Sequence, residues 1–247
     1  MDTNGRFCRM CGTALELRET EHEGIVPYCP SCKEFRFPQY NTAVSMIVVN
    51  ETTDEILLVR QYGRPFYVLV AGYVSRGESL EEAVRREIKE ETGMTAFRLR
   101  FNRTRFFEQS DTLMCNFTAF VRDASALNVN YEIDSYAWFT KDEARKNIKP
   151  GSLAEYFLDS YLDTDEQNRR IAGFERIMDE AEMLIRKEKR SDDETERLKI
   201  LIKELEGYYG STEWKKDYSD DVQGLLPEEL KRGVLSEDGI YNLRDRI

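Results

Sequence analysis

The 247-residue chain carries 36 basic and 47 acidic side chains, a formal net charge of −11, with 40% hydrophobic residues. That is length enough for one or two cores, and the longest apolar run, AVSMIVV at 43–49, is far too short to cross a bilayer, so no membrane partner is expected. Residues 151–247 hold 16 basic and 25 acidic side chains, which excludes non-specific nucleic-acid binding by that part, and the start MDTNGRFCRMCG has no apolar run, so a soluble, cytoplasmic protein is expected.

The first element contains Cys8, Cys11, Cys29 and Cys32 in the pattern C-x2-C-x17-C-x2-C. Each C-x-x-C knuckle offers two thiolates from one tight turn, and two knuckles complete a tetrahedron, the spacing of a zinc ribbon holding a closed, structural Zn2+. Two disulfides are the alternative, disfavoured in a chain without an export signal. The stretch between the knuckles predicts a small hairpin around Glu23-Gly24, and the ribbon is assigned to residues 1–37. His22, the single histidine, lies in that charged stretch, so a serine–histidine triad is hard to build.

From Asn41 the pattern turns strand-like: TAVSMIVVN, EILLVRQ and FYVLVAGYV precede a helix, and FRLRFNRTRFF, TLMCNFTAFVR and YAWF follow it. Helices over KDEARKN and after Pro150 close this part, and mixed strands flanked by helices predict an α/β sandwich. Cys115, inside the run TLMCNFTAFV, reads as a small buried hydrophobe.

The central helix is legible in detail. Ser79 and Glu82 form the S-x-x-E capping box, so it starts at Leu80, and Gly93 is a natural left-handed stop. At about 100° per residue, Leu80, Val84 and Ile88 form its buried stripe, and Glu87 and Glu91 point into the same sector. Arg85, Arg86 and Lys89 fall on other faces at this spacing. Inward carboxylates need a cation, and a hard metal ion with oxygen ligands suits Glu87, Glu90 and Glu91.

The segment GYVSRGESLEEAVRREIKEETGM, Gly72 to Met94, fits G-x5-E-x7-R-E-U-x-E-E-x-G-U, with U apolar, at every fixed position. It resembles the Nudix box. The resemblance implies a Nudix α/β/α sandwich with a mixed sheet over residues 38–163, and catalysis with Mg2+ or Mn2+ held by Glu87, Glu90 and Glu91. It also implies metal ligation by the backbone carbonyl of Gly72, a loop-locking pair of Glu78 and Arg86, and a further acid, Glu132, as metal ligand or base from a loop opposite the helix.

A ribbon followed by FRFPQY and such a box, with TLMCNFTAF and KPGSLAEYFLD further on, is similar to the NADH pyrophosphatase group of Nudix hydrolases over residues 6–163. This implies cleavage of NAD(H) into NMN(H) and AMP, a homodimer, and removal of NAD caps from RNA as a further activity. The group's S-Q-P-W signature is replaced here by Thr104, Arg105, Phe106 and Phe107. Phe106 and Phe107 are candidates to stack on a base or nicotinamide and Arg105 to pair with a phosphate; the alternative is that they are strand residues packing a core. ADP-ribose or another nucleoside diphosphate-X compound is the alternative substrate, and a Nudix-based nucleotide sensor the alternative class.

Residues 164–247 read as an all-α domain. Apolar residues at helical spacing (Ile171, Phe174, Ile177, Met178, Ala181, Leu184, Ile185, then Leu198, Leu201, Ile202, Leu205), broken by SDDE at 191–194, predict a helical hairpin. The tail, with YYGSTEW and LKRGVLSEDGIYNL, resembles a small helical family of unknown function. Tyr208, Tyr209, Trp214 and Tyr241 are either a core clamp for the hairpin or a binding surface, the clamp being the simpler reading.

Overall fold

The computed structural model describes residues 6–122 and 128–236, together with residues 239 and 243. It divides into two compact units, Met1–Phe157 and Leu158–Ile247.

In the first unit, β1 (Glu16–Thr20), β2 (Gly24–Cys29) and the two-residue β3 (Glu34–Phe35) make an antiparallel sheet in the order β1-β2-β3. The hairpin turns ahead of Gly24, whose φ of +67° lies in the region only glycine enters freely. Its buried apolar residues are Cys8, Val26 and Cys29. So small a core is what a module cross-linked by a metal, and not by hydrophobic burial, would have.

The second sheet is mixed. It contains β4 (Asn41–Asn50), β5 (Ile56–Gln61), β6 (Val70–Tyr73), β7 (Arg98–Phe107), β8 (Thr112–Val121) and β9 (Ile133–Phe139), in the order β7-β8-β4-β5-β9 with β6 also pairing β4. β4 and β8 run parallel from Asn41↔Thr112 to Asn50↔Val121, and the other pairings are antiparallel. β4, central and buried from Ala43 onward, reads as the near-continuous apolar run that burial on both faces requires.

Helix α1 (Leu80–Thr92) lies on one face. Its Ala83, Val84 and Ile88 join Val44, Met46 and Val48 of β4 and Cys115, Phe117 and Ala119 of β8 in one buried cluster. The helix begins at the reciprocal capping box of Ser79 and Glu82 and ends at Gly93 with φ +71°, as its sequence predicts. Helix α2 (Lys141–Asn147) starts with a second such box, Thr140 and Glu143. Helix α3 runs unbroken from Leu153 to Ile185, through the boundary placed at 163/164 from sequence.

In the second unit, α3 continues and is followed by α4 (Asp192–Tyr208) and α5 (Thr212–Val222). The SDDE break is the start of α4: Ser191 is its N-cap and forms a third capping box with Glu194. Ile171, Ala181 and Leu184 pack with Leu198, Leu201, Ile202 and Leu205, the two arms expected of the hairpin. No helix among the described residues is long and apolar enough to cross a membrane.

Candidate active site

Three acids, Glu87, Glu91 and Glu132, meet on the inner side of α1, while Glu90 is exposed on the helix. Glu91, on the helix stripe that faces the sheet, is 3% exposed. Its Oε2 accepts a hydrogen bond of 2.9 Å from Gln61 Nε2 at the end of β5. Burial, then the charges of Glu87 and Glu132, push its carboxyl up to about 8. A buried acid with a single amide donor and two acidic neighbours is the arrangement a multivalent cation resolves.

Glu87 is held against the sheet. A side chain placed on Gly72 would have its Cβ 1.9 Å from the Glu87 carboxyl carbon, so any larger residue at this position on β6 would push the Glu87 carboxylate out of its place. Glu132 sits on the turn before β9, with its backbone N–H on Asn130 Oδ1 at 2.9 Å and its Oε2 accepting from Tyr62 Oη at 2.8 Å. That bond, with desolvation, pushes the Tyr62 phenol up to about 12. Loop and helix are joined further by Asn128 N–H to Thr92 O at 2.8 Å and Asn130 N–H to Glu91 O at 3.1 Å.

Arg86 corrects the helical-wheel expectation. It does not lie away from the carboxylates: Nη1 is 2.7 Å from Glu87 Oε1 and 3.1 Å from Glu90 Oε2. Glu90, at i+4, is a helical neighbour of Arg86, and Glu87, about 100° round the helix, is reached because the guanidinium sits on a flexible three-carbon stem. The other edge of the same group meets Glu78 at 2.8 and 3.0 Å and the Tyr73 carbonyl at 3.0 Å, while Glu78 Oε2 accepts from Ser75 N–H at 2.9 Å. Arg86 and Ser75 hold Glu78 below the usual carboxylate range. The turn between β6 and α1 is thereby tied to the helix.

The acids Glu87, Glu90, Glu91 and Glu132 offer only oxygen atoms, the donor chemistry that suits a hard divalent cation. The buried, acid-flanked Glu91 and the glycine cradle for Glu87 fit such an ion. Among the described residues, the one cluster of three or more His, Cys, Asp or Glu ligand atoms all within 4.8 Å of one another is the cysteine quartet, so the carboxylates here are more widely spread. Arg86 and Gln61 draw them toward separate partners.

Comparison with known families decides the class. Residues 39–159 match the family described as NUDIX domain. This segment is a NUDIX domain. Residues 171–246 match the family described as Domain of unknown function (DUF4298). The protein called NAD-capped RNA hydrolase NudC of Pseudomonas aeruginosa (strain LESB58) is 31% identical over 161 residues, 64% of this chain and 56% of that one. NAD-capped RNA hydrolase NUDT12 of Homo sapiens is 26% identical over 160 residues, 62% and 35% of the two chains. A solved structure, a NUDIX hydrolase from Nitrosomonas europaea, aligns at TM-score 0.45 and 20% identity over 64% of this chain and 88% of that one. The chain thus spans little more than half the length of the NudC relative it matches.

The cysteines flanking this NUDIX domain on its N-terminal side come together in space. Cys8 and Cys32 Sγ are 3.9 Å apart and Cys11 and Cys29 Sγ 3.5 Å. These are far beyond a disulfide, and sulfurs at about 2.3 Å from a tetrahedral Zn2+ would lie about 3.8 Å apart. Arg36 Nε, 3.3 Å from Cys8 Sγ, lowers that thiol, and the Thr13 hydroxyl at 3.3 Å, with its backbone, brings Cys11 down to about 6. Cys32, beside Cys11 and Cys29, is pushed up to about 12. Thiolates already present disfavour a further one until a cation neutralises them. Cys115 is buried in β8, and His22 is exposed at the hairpin turn.

The NUDIX domain does not gather Arg105, Phe106 and Phe107 into one surface. Arg105 pairs with Met114, Phe106 with Leu113 and Phe107 with Thr112, so alternate residues face opposite sides of the sheet. Phe106 is on the α1 side, edge-on to Tyr40 at 5.7 Å. Arg105 is on the other, its guanidinium 4.1 Å from the ring centroid of Tyr156 in the first turn of α3. A β-bulge between Phe101 and Arg103 shifts the register so that Arg98, Arg100, Arg103 and Arg105 share that side, a placement no two-residue alternation predicts.

Sequence reasoning missed Gln61 and Tyr62. Both fall where β5 ends and its register with β9 shifts, and nothing in the run RQYGRPFY marks them as partners of acids 30 and 70 residues away.

Proposed function

We propose that the NUDIX domain is a metal-dependent pyrophosphohydrolase that cleaves a nucleotide diphosphate, with NAD(H) yielding NMN(H) and AMP as the first substrate. The observation that carries this reading is Glu91: buried, flanked by Glu87 and Glu132, and raised to about 8 with Gln61 as its donor. The names of the relatives, NAD-capped RNA hydrolases, support the same substrate class and make NAD-capped RNA a second one.

In this reading Glu87, Glu90, Glu91, Glu132 and the Gly72 carbonyl hold Mg2+ or Mn2+. When bound, such an ion neutralises charge building on the phosphate oxygens and makes a water more acidic. Glu132, presented by Tyr62 and Asn130, accepts the proton of the attacking water. The water oxygen bonds to phosphorus, the bridging P–O bond breaks, and the departing phosphate keeps the electron pair. Glu78 and Arg86 take no part in bond making; they hold the β6–α1 turn against the helix.

The reading extends to a structural Zn2+ on Cys8, Cys11, Cys29 and Cys32, a ribbon over 1–37, a NUDIX domain over 38–163 and a helical domain over 164–247. It also includes a homodimer in the cytoplasm, but not one substrate surface shared by Arg105, Phe106 and Phe107, whose alternation puts Arg105 and Phe106 on opposite faces of the sheet. The decisive test is mass-resolved product analysis with Mg2+ or Mn2+ against NADH, NAD, ADP-ribose, nucleotide sugars and NAD-capped RNA. AMP with nicotinamide mononucleotide from NAD(H) is the expected result. Turnover of a different diphosphate would reassign the substrate, and binding without turnover would turn the domain into a sensor.

A further inference from the structure

The connection between β5 and β6 runs beside the carboxylates on an unusual backbone. Tyr62 and Gly63 are both left-handed, φ +56° and +66°. Glycine adopts this freely, whereas for a tyrosine it costs on the order of 1 kcal/mol or more and persists only where neighbours hold it. Two carboxylates do so: Glu132 accepts from Tyr62 Oη at 2.8 Å, and Asp134 Oδ2 accepts from Gly63 N–H at 2.6 Å. Arg64 N–H closes the turn on Gln61 O at 3.1 Å, and Val59 and Val68 exchange backbone bonds of 3.0 and 2.8 Å. The turn is therefore preformed.

Against it lies a cleft of about 110 Å³ lined by Gln61, Tyr62, Arg64, Phe66, Val68 and Lys149. Two of its walls are the donors to Glu91 and Glu132, so it opens directly beside the candidate active site. Neither Arg64 nor Lys149 is ion-paired with a carboxylate among the described residues; the Lys149 ammonium lies 5.0 Å from the Phe66 ring centroid. Tyr62 and Phe66 remain 65% and 39% exposed. The cleft has room for a phosphate but not for a whole nucleoside, which places any ring at the rim, on the two aromatic side chains. Two uncompensated cations next to exposed aromatic faces are the chemistry that takes an aromatic base carrying a phosphate.

We propose that the turn 62–66 and Lys149 form a subsite for one nucleoside monophosphate half of the substrate, its phosphate on Arg64 and Lys149 and its base against Phe66 and Tyr62. This rests on the hydrolase reading for its place in turnover, but its binding is testable without it. The experiment is calorimetric titration of the full chain, divalent ions chelated, with AMP, adenosine and inorganic phosphate. AMP is expected to bind at least about tenfold more tightly than adenosine, and an Arg64→Ala, Lys149→Ala double variant to lose about tenfold or more in AMP affinity, with Arg64→Lys retaining most of it. Phe66→Ala is expected to weaken AMP while leaving phosphate unchanged. An unchanged circular-dichroism melt shows that the variants fold.

A parent protein that ignores AMP, or a double variant that binds it as the parent does, overturns the subsite. In turnover, the double variant is expected to raise KM with kcat nearly constant. Unmoved KM in an active enzyme removes the subsite and leaves the hydrolase standing. AMP binding that the double variant abolishes, in a parent that hydrolyses nothing, does the reverse.

Discussion

Glu91 in the first unit and Asp217 in the second are both buried carboxylates, 3% and 0% exposed, in opposite electrostatic circumstances. Asp217 accepts from Arg170 at 2.6 and 2.9 Å, from Tyr208 Oη at 2.6 Å and from Gln167 at 2.9 Å. Burial raises its carboxyl, but these bonds outweigh burial and hold it below the ordinary value. Glu91 has Gln61 alone and faces Glu87 and Glu132, so burial wins. Burial does not distinguish a working acid from a structural one; the supply of partners does.

The comparison breaks most visibly on substitution. Glu91→Gln is expected to reduce turnover on the order of a thousandfold, since it removes a charged ligand from the reacting phosphate's counter-ion, while the metal-free fold gains stability at pH 8. Product assays and urea titrations check the two halves, and full activity in the variant would remove Glu91 from the site. Asp217→Asn is expected to do the opposite. It leaves Arg170 without its counter-ion and Tyr208 without its acceptor, costing the helical unit about 3–5 kcal/mol with turnover little changed. Loss of helical signal at lower urea is the readout.

The two acids also respond to pH with opposite sign. Asp217, lowered in the fold, contributes stability that is present above its unfolded value of about 3.9 and is lost as pH falls through the folded one. Glu91, raised to about 8, keeps a proton in the metal-free fold that the unfolded chain releases above about 4.5. The first unit is therefore expected to lose stability as pH climbs from about 5 to 8, and added Mg2+ or Mn2+ to reverse the loss. Chemical denaturation at three pH values, read separately by tryptophan fluorescence and helicity in parent and Glu91→Gln, tests this. A climb in stability over that window without metal would contradict the assignment.

The smallest effect concerns the turn between α3 and α4 within the second unit. Ser191→Ala removes the N-cap of α4 and its bond from Glu194 N–H at 3.2 Å, for an expected loss of about 1 kcal/mol confined to that unit. A melt of the variant overlaying the parent's would mean that this turn frays in the native state.

Of the tail's aromatic residues, Tyr208, Tyr209 and Trp214 are placed as a clamp. Tyr208 stacks on Phe174 at 3.9 Å and 2°, Trp214 donates Nε1–H to Val234 O at 3.1 Å, and Trp214 packs against Tyr209 and Tyr218. Tyr208 and Trp214 are buried, and Tyr241 lies outside the described residues. Their spacing alone left this open, because stacking depends on the crossing of α3, α4 and α5 and not on any one helix.

The sequence by itself determined what is local. Capping boxes, the glycine stop of α1, the inward sector of Glu87 and Glu91, the strand runs and the cysteine knuckles all rest on interactions within a few residues, whose geometry is the same in any fold. Tertiary structure alone decided what lies between segments: Gln61 on Glu91, Tyr62 on Glu132, and Arg170 on Asp217. It also decided the side of the sheet on which each residue of 98–107 stands, because a single-residue bulge inverts the alternation and leaves no mark in composition. The acids of the site are written in the order of residues; the donors that tune them are set by pairing across the fold.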